Sequence, residues 1–227
     1  MYRNNLYFEE DESAVREVGR MGPGVREQCV FNELGYFHVS KNYVVDFCHD
    51  ILHGVWNYVG NKLLTQFTTP GPNHILTLSE LNAALKDFKF EFSTRPRAIN
   101  KKTLSSKKGM GMKMAETLNL ILALPTIIGD VLPVENKYDM LLTELVQFVN
   151  LCLARSYNEA MLAALDIGAR KINELAKQCF GPKVITFKFH VLTHYSRVVR
   201  NSGPIAGLST MRLEGKKQHS VFKWPWY

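Results

Sequence analysis

Asp46, His49, Asp50 and His53 fall three and four residues apart in DFCHDILHGV. On a helix, side chains so spaced share one face. Zinc takes histidines together with carboxylates, whereas magnesium takes carboxylates and water. The same four residues can equally serve as hydrogen-bonding groups beside a core. His190 and His194, in KFHVLTHY, repeat the four-residue spacing. Two such pairs would supply four zinc ligands if the segments met. A third group, Arg212, Glu214, Lys217 and His219 in MRLEGKKQHS, sets one acid among bases. Glu214 is then either a metal-binding carboxylate with phosphate-holding neighbours or half of a solvated ion pair worth about 0.3 kcal/mol.

Charge is distributed unevenly. Lys plus Arg number 28 against 21 for Asp plus Glu, a formal +7. Arg95, Arg97, Lys101, Lys102, Lys107, Lys108 and Lys113 follow one another with no acid between them, and Arg212, Lys216, Lys217 and Lys223 form a second basic group around Glu214. Such a run suits duplex DNA, where affinity falls with salt at a slope of about 0.9 per phosphate contact. Contacts of this kind position a duplex without reading its sequence. A solvated loop is the other reading. The chain has no glycine-rich phosphate loop, HExxH or GxSxG, which leaves the commonest nucleotide, zinc-protease and serine-hydrolase signatures without support. Cys29, Cys48, Cys152 and Cys179 form no CxxC pair and read as core residues in a reducing compartment.

The elements that must position these groups are helical. The chain has 227 residues, 46% of them hydrophobic, with 13 Phe, 9 Tyr and 3 Trp, enough for a real core. No apolar run reaches the roughly 18–20 residues that cross a bilayer, and the longest, Leu118 to Leu132, is expected to break at Pro125. The acidic cluster Glu9 to Glu12 does not resemble a signal peptide. These features lead us to expect a soluble, intracellular protein without a membrane span, with the nucleus as a candidate address. Val45, Cys48, Leu52, Val55, Val59 and Leu63 mark a helix within Tyr43 to Leu64. Further helices are expected from Leu78 to Phe88 (capped by Thr77 or Ser79), on Met112, Ala115, Leu118, Ile121 and Leu122, and over Tyr138 to Ala154, Tyr157 to Cys179, Val184 to Val199 (whose start, VITFKFHVL, alternates as a strand would) and about Thr210 to Phe222. The fold class is therefore mainly α. Residues 1–27 read as a polar tail, 28–223 as one helical domain holding the basic loop 95–113, and 224–227 as a short tail.

Four segments, CVFNELGYFHVSKNYVVDFCHDILHGV from Cys29, LALPTIIGDVLP from Leu122, FKFHVLTHYSRVVRNSGPI from Phe187 and MRLEGKKQHSVFK from Met211, occur in this order. Together they resemble segments of animal transposase-like proteins related to the CACTA-like cut-and-paste group. The resemblance implies a ribonuclease H-like core interrupted by a long helical insertion. It also implies three acids holding two magnesium or manganese ions that activate water or a 3′-hydroxyl against phosphodiesters. On that pattern Asp46 is the second carboxylate and Glu214 the last, His49 supports the site and Arg212 steadies phosphate. Asp46, Asp50 and Glu214 are the candidate metal ligands, and the seven bases from Arg95 to Lys113, with Arg212 and Lys217, are the candidate contacts to duplex DNA. The family's first aspartate belongs on a strand ahead of YFHV, yet only 28 residues precede Cys29 and none of them forms such a motif. His53 also stands where glutamate is usual. The resemblance thus implies a transposase-derived fragment, the insertion and C-terminal part of an incomplete core, catalytically incomplete alone and with weak nonspecific DNA binding. Two alternatives stand beside it: a divalent-metal nuclease completed by another carboxylate or a second chain, and a helical protein-interaction or structural module.

Overall fold

A run of residues from Cys48 to Val55 departs from ordinary α-helical winding and sets the geometry of everything around it. The computed structural model describes residues 30–36, 42–90, 94–106, 109–129 and 136–210. The chain divides into one unit spanning Met1–Val44 and another spanning Val45–Tyr227. In the first, the described residues form a single 3-10 turn, Val30–Glu33, with Phe31 and Tyr36 exposed.

In the second unit, Cys48–Val55 is a π-helix that passes directly into α1, Trp56–Thr68. Gly54 makes this winding sterically possible. A Cβ there would lie 2.6 Å from the His49 carbonyl oxygen and 3.2 Å from Cγ of Lys188. Near the end of α1 the Thr65 and Thr68 hydroxyls each donate to the carbonyl four residues back, at 2.7 Å. The chain then turns at Pro70 and Gly71. Thr77 starts α2, Leu78–Asp87, with a complete capping box to Glu80.

After α2 the Asn82 side chain grips the backbone of Ile99, accepting from its N–H at 2.8 Å and donating to its carbonyl at 2.7 Å. Asn100 caps the one-turn α3, Lys101–Leu104. α4, Met114–Ile128, is buried along most of its length. It continues through Pro125, which lies on an exposed position, and stops at Gly129, whose φ of 64° closes the helix. The sequence expectation of a break at Pro125 is thus corrected.

α5, Lys137–Cys152, and α6, Glu159–Phe180, form an antiparallel pair. Phe148 packs against Gly168, where a Cβ would meet its ring at 3.3 Å, and Lys171 bridges to Glu144 at 2.8 Å. Lys137 donates to the Gln178 carbonyl at the open end of the hairpin. The chain continues through the 3-10 turn Pro182–Val184, then α7, Phe187–Val191, the 3-10 turn Leu192–His194, α8, Tyr195–Ser202, and α9, Ile205–Leu208. The π-helix lies at the junction, packed by α1, α4 and α7. Its core residues Cys48, Ile51, Leu52 and Val55, together with Trp56, are all essentially inaccessible to water.

The fold is mainly α. Among the described residues there is no β-strand, and a ribonuclease H-like core is built on a sheet, so the expectation of that core is overturned. The final helix expected near Thr210 to Phe222 lies outside the described residues.

Candidate functional site

The sequence cluster around Asp46 joins a half-buried carboxylate, Asp46, to a buried one, Asp50. Asp46 sits just ahead of the π-helix, and its carboxylate draws four donors. His49 Nδ1 hydrogen-bonds Oδ2, as does the Thr210 hydroxyl at 2.8 Å. The backbone N–H of Cys48, at 3.2 Å, and that of Thr210, at 3.4 Å, donate to Oδ1. Burial alone would raise the Asp46 pKa, but the bonds from His49, Thr210 and Cys48 outweigh it and hold the carboxyl below its ordinary value.

Asp50 lies one turn on and is buried. Its Oδ2 accepts the Asp46 backbone N–H at 2.9 Å. Its Oδ1 accepts from Lys188 Nζ at 2.8 Å, an ion pair that ties the π-helix to α7. The Lys188 stem reaches Asp50 across Gly54, where a larger residue would obstruct it. Beside these contacts the Cys48 thiol lies 3.1 Å from the Ser209 hydroxyl, so residues 209 and 210 close over the start of the π-helix.

The two histidines of the cluster diverge in role. His49 carries its proton on Nδ1 toward Asp46, which in the neutral ring makes Nε2 the lone-pair nitrogen. His53 instead donates from Nε2 to the Met112 carbonyl at 3.0 Å, fixing the opposite tautomer. The helix-face expectation that both imidazoles serve one centre is not met. Their rings stand 6.4 Å apart at 84°, and each is bonded to a different part of the fold.

Asp46 with His49 has the arrangement of an acid–base dyad, a carboxylate orienting an imidazole at the surface. Thr210 is no nucleophile for it, since its hydroxyl proton already points to Asp46. For a divalent ion the local field is less favourable. Lys188 places a positive charge 2.8 Å from Asp50, and no group of three His, Cys, Asp or Glu able to hold a metal occurs among the described residues. The four-histidine zinc site is not assembled among them. Glu214, Arg212 and Lys217 lie outside the described residues.

Arg95 and Arg97 of the basic run are exposed but already hold partners within the fold. Arg97 donates from Nε and Nη2 to the buried Glu116 carboxylate at 3.1 and 2.9 Å, which also accepts the Lys113 backbone N–H at 2.7 Å. Arg95 donates to the Lys86 carbonyl. Lys101, Lys102 and Lys113 are exposed, and Lys107 and Lys108 lie outside the described residues. Lys188, Thr210, Ser209 and the Met112 carbonyl are the partners that sequence reasoning did not find. Their only signal is three-dimensional.

No family model, no curated protein and no solved structure matches the chain. Together with the absence of a strand among the described residues, this overturns the resemblance to CACTA-like transposases. The ribonuclease H-like assignment and the DNA-binding role drawn from that resemblance fall with it. No helix among the described residues is long and apolar enough to cross a membrane.

Proposed function

We propose that this chain is a helical protein-interaction module whose docking point is the start of α7. What supports the reading is a division of labour between polar and apolar groups. The carboxylates Asp46, Asp50 and Glu116 are all engaged, by His49, Thr210, Lys188 and Arg97, and act as fasteners between parts of the fold. Phe187, by contrast, leaves 73% of its surface in water. A large aromatic held outward on a short helix, itself anchored through Lys188 to a buried carboxylate, is the kind of preorganised anchor that dominates protein interfaces. Lys183 lies exposed in the turn before α7, so the partner suited to this point offers an apolar pocket with an acidic rim.

The test is a photo-crosslinking residue placed at position 187, with a second at exposed Ala163 on α6 as control. Irradiation in cells should give a discrete adduct from position 187 that is absent from position 163. Equal, diffuse labelling from both positions would sink the proposal. So would tight duplex DNA binding that falls steeply between about 50 and 200 mM salt with no adduct from position 187, because the exposed Lys101 and Lys102 would then be the working surface.

A further inference from the structure

Outside the Asp46 network, the two remaining histidines of the described helices face each other. His190 lies in α7 and His194 ends the following 3-10 turn. Their Nε2 atoms stand 3.0 Å apart, with ring centroids separated by 4.7 Å and planes at 84°. Nitrogen-to-nitrogen contact at this distance needs one proton between the two rings. If that proton moves to Nδ1 of its own ring, both Nε2 lone pairs point into the same space, with no net change in charge.

We propose that His190 and His194 form a bidentate site for a divalent transition-metal ion that prefers right-angled ligands, copper(II) or nickel(II). The argument is geometric. With metal–nitrogen bonds of roughly 2.05 Å, two ligands 3.0 Å apart subtend about 94° at the metal. That is the angle between neighbouring ligands in square-planar or octahedral coordination, the geometries of copper(II) and nickel(II). Tetrahedral zinc would need the nitrogens at about 3.3 Å, so the pair would have to open.

The supporting shell is present. The Thr193 hydroxyl donates to the His190 carbonyl at 2.7 Å, and the Phe187 ring lies 6.2 Å from that of His190. Burial holds both imidazoles below their ordinary pKa, His194 down to about 4 with help from His190 and Arg197. Both rings are therefore neutral at pH 7, and a metal ion competes with few protons. Water completes the coordination sphere, since no third His, Cys, Asp or Glu ligand converges here among the described residues. The site shares α7 with the docking point, but neither reading requires the other, and absence of copper binding would leave the docking proposal untouched.

The experiment is calorimetric titration of the full, tag-free chain with copper(II), nickel(II) and zinc(II) salts in turn. It is repeated on His190→Gln, His194→Gln and the control His74→Gln at an exposed turn position, with circular dichroism to verify that each variant is folded. A paramagnetic-resonance spectrum of the copper-loaded protein counts the bound nitrogens. We expect copper to bind tightest and nickel ahead of zinc. Either substitution at 190 or 194 should weaken copper at least about tenfold, as even supporting residues around a metal do. Coupling to two imidazole nitrogens should fall to one in either variant, and His74→Gln should match the parent. Copper affinity and nitrogen count unchanged in both folded variants would overturn the assignment, as would zinc binding ahead of nickel.

Discussion

Replacing Lys188 by Met tests whether the Asp50 carboxylate is a fastener that needs its counter-charge. Asp50 is 6% exposed and Lys188 Nζ sits 2.8 Å from it, while the Lys188 side chain retains 35% exposure. Removing one partner of a fully buried pair costs roughly 3–5 kcal/mol. Water can reach the lysine side of this pair, so the expected cost of Lys188→Met is reduced to about 2 kcal/mol. Asp50→Asn removes the charge at the buried end. Its amide can still accept the Asp46 N–H, and Lys188 can turn to solvent, so the loss should be about 1 kcal/mol. The double variant should be less destabilised than the sum of the two, by on the order of 1 kcal/mol. Urea unfolding followed by the helical circular-dichroism signal measures all three. If Asp50→Asn costs more than Lys188→Met, or Lys188→Met lies within about 0.5 kcal/mol of the parent, the buried-charge argument is wrong.

The remaining expectations use the same unfolding assay. Gly54→Ala should destabilise by about 1–2 kcal/mol despite alanine's better helix propensity, because its Cβ would fall 2.6 Å from the His49 carbonyl oxygen; a gain in stability would remove the steric argument for the π-helix. Thr77→Ala, which deletes the capping box of α2, should cost about 1 kcal/mol, and an unchanged urea midpoint would refute that value. His190 and His194 are held below the ordinary 6.5, His194 at about 4, so the folded state binds fewer protons than the unfolded chain in that range. Their contribution is complete above pH 6.5 and declines as pH falls toward 4. His194→Gln should flatten that decline, and an undiminished slope would contradict it.

Much of the helical layout was legible because helix formation is read from neighbours in sequence. Leu141, Leu142, Leu145, Phe148 and Val149 announce α5 within two residues of its observed end, and Gly181 with Pro182 stops α6 as their chemistry dictates. Thr77 as a cap was legible for the same reason. The π-helix was not, since apolar positions at 48, 52 and 55 suit either winding. The difference lies in Gly54 meeting a lysine 134 positions later. Asp46 and His49 were legible as a pair, whereas Lys188 and Thr210 were not, because ordinary residues so distant carry no local mark of what they will touch. Arg97 shows the hazard of counting charge along a window. The run from Arg95 to Lys113 contains no acid, yet Glu116 stands three residues past its end and takes Arg97 as its partner. Short motifs in the right order suggested a sheet-bearing enzyme core, and no arrangement of the described helices supplies one.

The bonds from Thr210 to Asp46 and from Ser209 to Cys48 have a topological meaning. Positions 46 and 210 stand 164 residues apart in the chain, on either side of the described helices of the second unit, and their side chains touch. A path that returns to its own origin forms a ring in all but one covalent link. The helices between these positions thus form a closed loop held by side chains alone, and loss of the Asp46 carboxylate would release both of its ends at once.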